Sequence, residues 1–199
     1  MKFTQIPADT FSKLQLNAGI LVSVANGFVP ATGTVTTANI IGATTGGINV
    51  TCTPSYVDFG ENVDNCPKNM KELKVLDNWE CRISGTFVTI STTLVKMMLG
   101  AADIDGVDVT KVTPRVDLID SDFSDIWFVG DYSDKNGATY GGFVAVHMTN
   151  ALSTGGFSMQ TADKEKGQFS AEFTGHVSIN DQNTVPMEFY VQAGSIEPA

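Results

Sequence analysis

Two histidines, three cysteines and a scatter of carboxylates are the groups through which this 199-residue chain could do chemistry. His147 stands in an apolar run, and His176 on the polar side of an alternating one. Nucleophilic catalysis needs such a base beside a Ser or Cys, and neither a GxSxG nor an HExxH pattern occurs. The two histidines therefore read as a satisfied core residue and a surface residue, and the chain as not an enzyme. Cys52, Cys66 and Cys81 are odd in number, widely spaced and without a CxxC pair, so zinc and redox motifs are absent. Cys52 and Cys81 each fall on the apolar side of an alternating pattern and read as small core hydrophobes. Gly42 and Gly47 have the spacing of a phosphate loop, but Ile48 and Asn49 stand where Lys and Ser or Thr would be needed. The run "AADIDGVDVTKV" places Gly106 at the turn of a calcium loop. Its first and last ligand positions are then Ala101 and Val112, which offer no side-chain oxygen. The sequence thus implies no catalytic residue, no cofactor and no metal.

The charge balance narrows the partners. The formal net charge is −10, so the chain should not grip DNA or RNA through phosphate neutralisation, which needs Lys and Arg. An acidic surface serves solubility first, and it would also repel nucleic acid passing by. The first residues, "MKFTQIPADTFSKLQ", hold no apolar signal core, and no 18-residue apolar run exists. The expectation is a soluble protein made in a reducing cytosol, without a membrane partner.

One segment stands out. Pro54 to Asn78, "PSYVDFGENVDNCPKNMKELKVLDN", separates two alternating patterns. Structureless connections beyond about 12–15 residues are uncommon in compact domains and are often functional. Its first half carries Asp58, Glu61 and Asp64; its second carries Lys68, Lys71 and Lys74. A loop with a negative and a positive arm can dock head-to-tail on copies of itself. Tyr56, Phe59, Met70 and Leu73 supply apolar contacts that await a neighbour. A weak helical turn is expected from Pro67, with Met70 and Leu73 three apart.

The elements that must hold this segment are mostly strands. Few charges, 19 Gly and 12 Phe favour sheets and turns over helical bundles. Residues 1–16 read as an arm, followed by a buried strand in "AGILVSVA" and a loop or weak hairpin. Ile48, Val50 and Cys52 share one face, with Asn49, Thr51 and Thr53 on the other. Beyond the long loop, Trp79, Cys81, Ile83 and Phe87 oppose Glu80, Arg82, Ser84 and Thr86. A short helix, "TTLVKMML", is capped by Ser91 or Thr92 and closed by Gly100, with Leu94 and Met98 as its packing stripe. Asn136-Gly137 marks a hairpin turn. Phe169, Ala171, Phe173 and Val177 point inward; Ser170, Glu172, Thr174 and His176 point outward. In the last strand Met187, Phe189 and Val191 share a face. The fold class is mainly β: a β-sandwich or partial barrel with one flanking helix, as a single domain over residues 1–199.

Two blocks carry a resemblance: "DFGENVDNCPKNMKELKVLDNWECRISGTFVTIS" and "LIDSDFSDIWFVGDYSDKNGATYGGFVAVHMTNALSTGGFSMQTADKEKGQFSAEFTGHVSI". Together they resemble the major tail (tail tube) proteins of long-tailed bacteriophages, and the likeness runs from about Lys13 to Val191. The resemblance implies a β-sandwich whose copies form sixfold rings that stack into a tube around the DNA channel. It implies a long loop that reaches neighbouring subunits, a role falling here on 54–78. It further implies a place in the virion tail, with tape measure, terminator and baseplate proteins as partners and genome DNA passing through unbound. The polar faces Asn49, Thr51 and Thr53, Glu80, Arg82, Ser84 and Thr86, and Glu172, Thr174 and His176 would line either the lumen or the outer surface; the resemblance favours the lumen for the two strands that bracket the long loop. Glu80 and Glu172 would repel phosphate, and Arg82 would be neutralised by one of them. The alternative reading is a non-catalytic β-sandwich binding module for carbohydrate or protein, using Tyr56, Phe59 and Trp79.

Overall fold

The computed structural model describes residues 15–132 and 141–194. Most of the expected N-terminal arm and the Asn136-Gly137 turn lie outside these residues. Gln15 and Leu16, expected to belong to that arm, already sit in the first strand.

Among the described residues the fold is mainly β with one α-helix. The strands are β1 (Gln15–Ser23), β2 (Phe28–Val29), β3 (Thr34–Val35), β4 (Thr44–Asp58), β5 (Lys74–Phe87) and β6 (Ala102–Ile104). They continue as β7 (Val112–Pro114), β8 (Ser124–Tyr132), β9 (Gly142–Ser153), β10 (Ser158–Gln160), β11 (Gln168–Gly175) and β12 (Met187–Gln192). Helix α1 spans Thr92–Leu99. The main sheet runs β1-β8-β9-β11-β5-β4, antiparallel throughout, with β10 on β11 and β12 on β9.

This sheet is two wings joined by a short seam. Only Phe173–Gly175 of β11 pair with Ala151–Ser153 of β9. Before the seam, β9 pairs with β12; beyond it, β11 pairs with β10. The wings fold toward each other, and at the far side the chain nearly closes the circle. Ile40 bridges to Val22 of β1, and the Ile41 amide donates to the Leu21 carbonyl (2.9 Å) just before β4 begins. The result is a partial barrel, in which this contact covers a short stretch of the β1 edge.

The principal core fills the space between the wings: Leu21, Cys81, Ile83, Phe87, Ile126, Val146, Met148, Phe169, Ala171 and Phe173. Helix α1 adds Leu94 and Met98, the pair its spacing predicted. Ser91 Oγ caps the helix by accepting from the Leu94 amide (3.1 Å), an interaction worth about 1 kcal/mol. Gly100 ends it at φ 74°, a conformation that favours glycine. A second cluster lies on the other face of β1-β8-β9, where Phe28 meets the Trp127 and Phe143 rings edge-on. The β2–β3 hairpin is therefore a lid on that face.

One alternation behaves differently from expectation, and another forms as expected but is only partly covered. Val177 lies beyond the end of β11 at Gly175 and is exposed, not inward. Met187 is buried, but its strand-mates Phe189 and Val191 are 58% and 64% exposed. They share a face as expected, but only its Met187 end is covered.

Candidate functional site

The long connection is shorter than the sequence suggests. Strand β4 continues through Asp58 and β5 resumes at Lys74, so residues expected in a loop pair as Pro54↔Trp79, Ser55↔Asn78, Tyr56↔Leu76, Val57↔Val75 and Asp58↔Lys74. Only Phe59 to Leu73 is connection, and it is built of turns. The expected helical turn after Pro67 is a simple turn, with the Leu73 amide donating to the Met70 carbonyl (3.2 Å). The physical reason is a register shift between Ser55 and Tyr56 that leaves Asp77 unpaired. A bulge of this kind breaks the period-two pattern while the ladder continues.

The tip brings its charges together. Asp58 Oδ1 accepts from the Gly60 amide (2.9 Å) and Oδ2 from the Asn69 amide (3.2 Å), so this carboxylate organises the turn. Tyr56, Asp58, Glu61, Lys68, Asn69 and Lys74 line one concavity, and Lys74 Nζ sits 5.4 Å from the centre of the Tyr56 ring. The acidic and basic halves are therefore side by side rather than separate arms. Lys71 reaches Glu72 at 3.6 Å in open solvent, and Asp64 is exposed. Leu73 is half-buried: it lies with Cys66 against Gly60, in a small tip cluster. The exposed apolar groups are Tyr56 (53%), Val57, Phe59 (65%), Val63, Met70, Val75 and Leu76.

The polar face forms as the alternation requires. Cross-strand register places Asn49, Ser84 and Glu172 in one row, and Thr51, Arg82 and Thr174 in the next. Thr53 faces Glu80, while Thr86 stands between Thr45 and Ser170. The opposite face of the same strands carries Ile83, Phe87 and Phe173 into the core. Gly46 and Gly47, at φ 74° and 86°, form a two-residue bulge between the Thr45↔Thr86 and Ile48↔Gly85 pairs, beyond which the ladder with β5 continues to Thr44. Arg82 Nη1 donates to Glu172 Oε1 (2.8 Å) and Nε to Glu80 Oε1 (2.9 Å), with Nη2 also on Glu80. The hydrogen bond and charge of Glu80, and then the charge of Glu172, raise the Arg82 pKa. Two carboxylates against one guanidinium leave one negative charge on this patch.

Thr154 belongs to the same face and has no periodic signal, because it follows the end of β9. Its hydroxyl donates to Glu172 Oε1 (3.2 Å) and shares a hydrogen bond with Thr174 Oγ1 (2.9 Å). His176 lies just past β11, at one end of the face, in a concavity of about 580 Å³ with Thr53, Glu80 and Thr174. Its ring meets Phe123 edge-on, and Nδ1 lies 3.3 Å from the Asn150 carbonyl.

His147 is not the satisfied core histidine its apolar surroundings suggest. It stacks on Trp127 at 4.1 Å, between Asp125 (Nε2 to Oδ2, 3.4 Å) and Glu188 (Nδ1 to Oε2, 3.6 Å), while Nε2 makes no hydrogen bond. Glu188 in turn accepts from the Tyr190 hydroxyl (2.6 Å) and so raises the phenol's pKa. No Ser or Cys contacts either histidine among the described residues. Trp79, a candidate ligand-binding aromatic, packs half-buried against the core.

The Asp-rich stretch is a closed network. Asp105 Oδ1 accepts from the Val107 and Asp108 amides, and Lys111 lies 3.7 Å from Oδ2. Arg115 clasps Asp122 (2.5 Å) and the Asp117 carbonyl (3.1 Å), with Nε 2.8 Å from Asp103 but poorly aligned for a hydrogen bond. No cluster of three or more potential metal ligands occurs among the described residues, and no helix there is long and apolar enough to cross a membrane. The chain matches no protein-family model and no curated protein.

Proposed function

We propose that this protein is a self-assembling structural subunit of a phage-type tail tube. In this reading, copies form rings, hexameric by resemblance, and the rings stack into a conduit through which DNA passes unbound. The observation that carries the reading is the three-strand face of β4, β5 and β11. It is continuous, rich in short hydroxyl and amide side chains, and slightly acidic, while its reverse packs against the core. A wall of that kind offers phosphate no cation, because Arg82 is held by two carboxylates. The projecting β4–β5 hairpin supports the same reading: it carries exposed apolar groups beyond what a free subunit uses. Its partners would be further copies and the other components of a virion tail, and the protein would not be an enzyme.

The binding-module alternative calls for grouped exposed aromatics. Trp79 is engaged in packing, which leaves Tyr56 and Phe59. A module would also stay monomeric as concentration rises.

The test of the wall is Asn49→Lys with Thr51→Lys, two positions that face the polar side without serving the Arg82 pairs. Assembled tubes of the double variant should retain DNA in the channel and release it slowly at low salt, with normal assembly. Unchanged DNA passage would show that this face does not line the lumen.

A further inference from the structure

The core-facing side of the same hairpin carries a feature that assembly does not use. Cys52 and Cys81 stand directly opposite each other on β4 and β5, with their Sγ atoms 3.4 Å apart. Cys81 is wholly buried in the principal core, and Cys52 is half-buried at its margin. Directly opposed antiparallel residues hold their Cα atoms about 4.5–5.5 Å apart. A disulfide spans roughly 4.4–6.8 Å between Cα atoms, so the backbone already has the required separation. Only the sulfurs need to close, by side-chain rotation. Burial, with help from the Cys52 hydrogen bond and charge, pushes the Cys81 thiol up to about 12. At neutral pH Cys81 is therefore protonated, and the more exposed Cys52 is the sulfur that meets a reagent first. Cys66 is out of reach at the hairpin tip, where its thiol faces the Pro67 carbonyl and Met70 Sδ, each at 3.6 Å.

We propose that Cys52 and Cys81 are an oxidation site at which a peroxide drives formation of a cross-strand disulfide. The Cys52 sulfur gives up its proton and attacks the O–O bond of hydrogen peroxide. An S–O bond forms, and the departing hydroxide takes up a proton and leaves as water. Cys52 is now a sulfenic acid, oxidised by two electrons as the peroxide is reduced. The Cys81 sulfur then attacks the sulfenic sulfur: the S–S bond forms, the S–O bond breaks, and the hydroxyl departs as water with the Cys81 proton. In sum, two thiols and one hydrogen peroxide give one disulfide and two waters. The bond staples β4 to β5 where the hairpin leaves the body, and closes a ring that contains the whole tip. Such a ring restricts the unfolded chain and stabilises the folded one. This inference rests on the sulfur geometry and is independent of the tube reading.

The experiment treats the reduced full chain with hydrogen peroxide, then blocks remaining thiols under denaturing conditions and measures intact and peptide masses. The blocked protein should carry one blocking group instead of three and, apart from these groups, weigh two hydrogen atoms less, and one cross-linked peptide should join Cys52 to Cys81. Dithiothreitol should reverse the change, and the oxidised protein should melt at a higher temperature. Cys66→Ser should form the same link, while Cys52→Ser should leave Cys81 as a free thiol. The proposal is overturned if Cys52 gains two or three oxygens while Cys81 stays free, or if the link runs through Cys66. It is equally overturned if all three thiols survive peroxide that fully oxidises glutathione in the same tube.

Discussion

Val24 closes β1 in a left-handed conformation, φ 67°, which costs a β-branched residue about 1–2 kcal/mol. Its side chain is about half exposed, so the strain serves no packing. Val24→Asn should raise stability by about 1 kcal/mol in chemical denaturation; a loss would mean the valine makes compensating contacts. Carboxylates matter in the opposite sense. The Val107 and Asp108 amides hold Asp105 below its usual pKa, and the Thr110 hydroxyl and amide do the same for Asp108. For Asp122, burial pulls upward, but the Ile119 amide and Arg115 outweigh it and the pKa falls. A folded-state pKa below the unfolded value gives stability that is complete above the ordinary aspartate value, about 4, and disappears as pH falls through the depressed values. Amide protection across 102–122 should therefore collapse below about pH 4, and Asp122→Asn should show a smaller acid loss. Flat protection through this range would contradict the network. At this scale the sequence was partly readable. Arg82 was expected to be neutralised by Glu80 or Glu172 and meets both. The carboxylates around His147 were not foreseeable, because Asp125, His147 and Glu188 converge from three strands.

Among the elements, alternation succeeded where a strand is regular and covered. The inner and outer faces of β4, β5 and β11 fall out as the period requires, and α1 lies on the residues its cap and stripe mark. It failed at the hairpin, where the shift at Ser55/Tyr56 and the Val57↔Val75 pair on the polar side hide a ladder inside an apparent loop. At β12 the shared face of Met187, Phe189 and Val191 is as expected, but period does not tell whether anything covers such a face. The hairpin projects from the body, so its removal should spare the core. Replacing residues 57–75 by Asn-Gly, which suits a two-residue turn between Tyr56 and Leu76, should give a folded monomer that no longer assembles. Normal polymerisation of that variant would remove the hairpin as the main interface.

For the whole molecule, exposed apolar groups are distributed in a way that a lone subunit does not explain. Many lie on the β4–β5 hairpin, on β12 and along Val107, Val109, Val116 and Leu118, with others such as Ile90, Met159 and Ile179 elsewhere. Exposed apolar side chains grouped on one element, as on the hairpin, are candidate interaction sites. The proposed tube uses the hairpin and the open faces for contacts between copies, and keeps the hydroxyl-rich face for the channel. Negative-stain electron microscopy of the concentrated full chain tests that claim most directly. Hollow rings or tubes about 100 Å wide are expected, a scale set by sheet layers of ~10 Å on each side of a channel. A chain that remains strictly monomeric at millimolar concentration would contradict it.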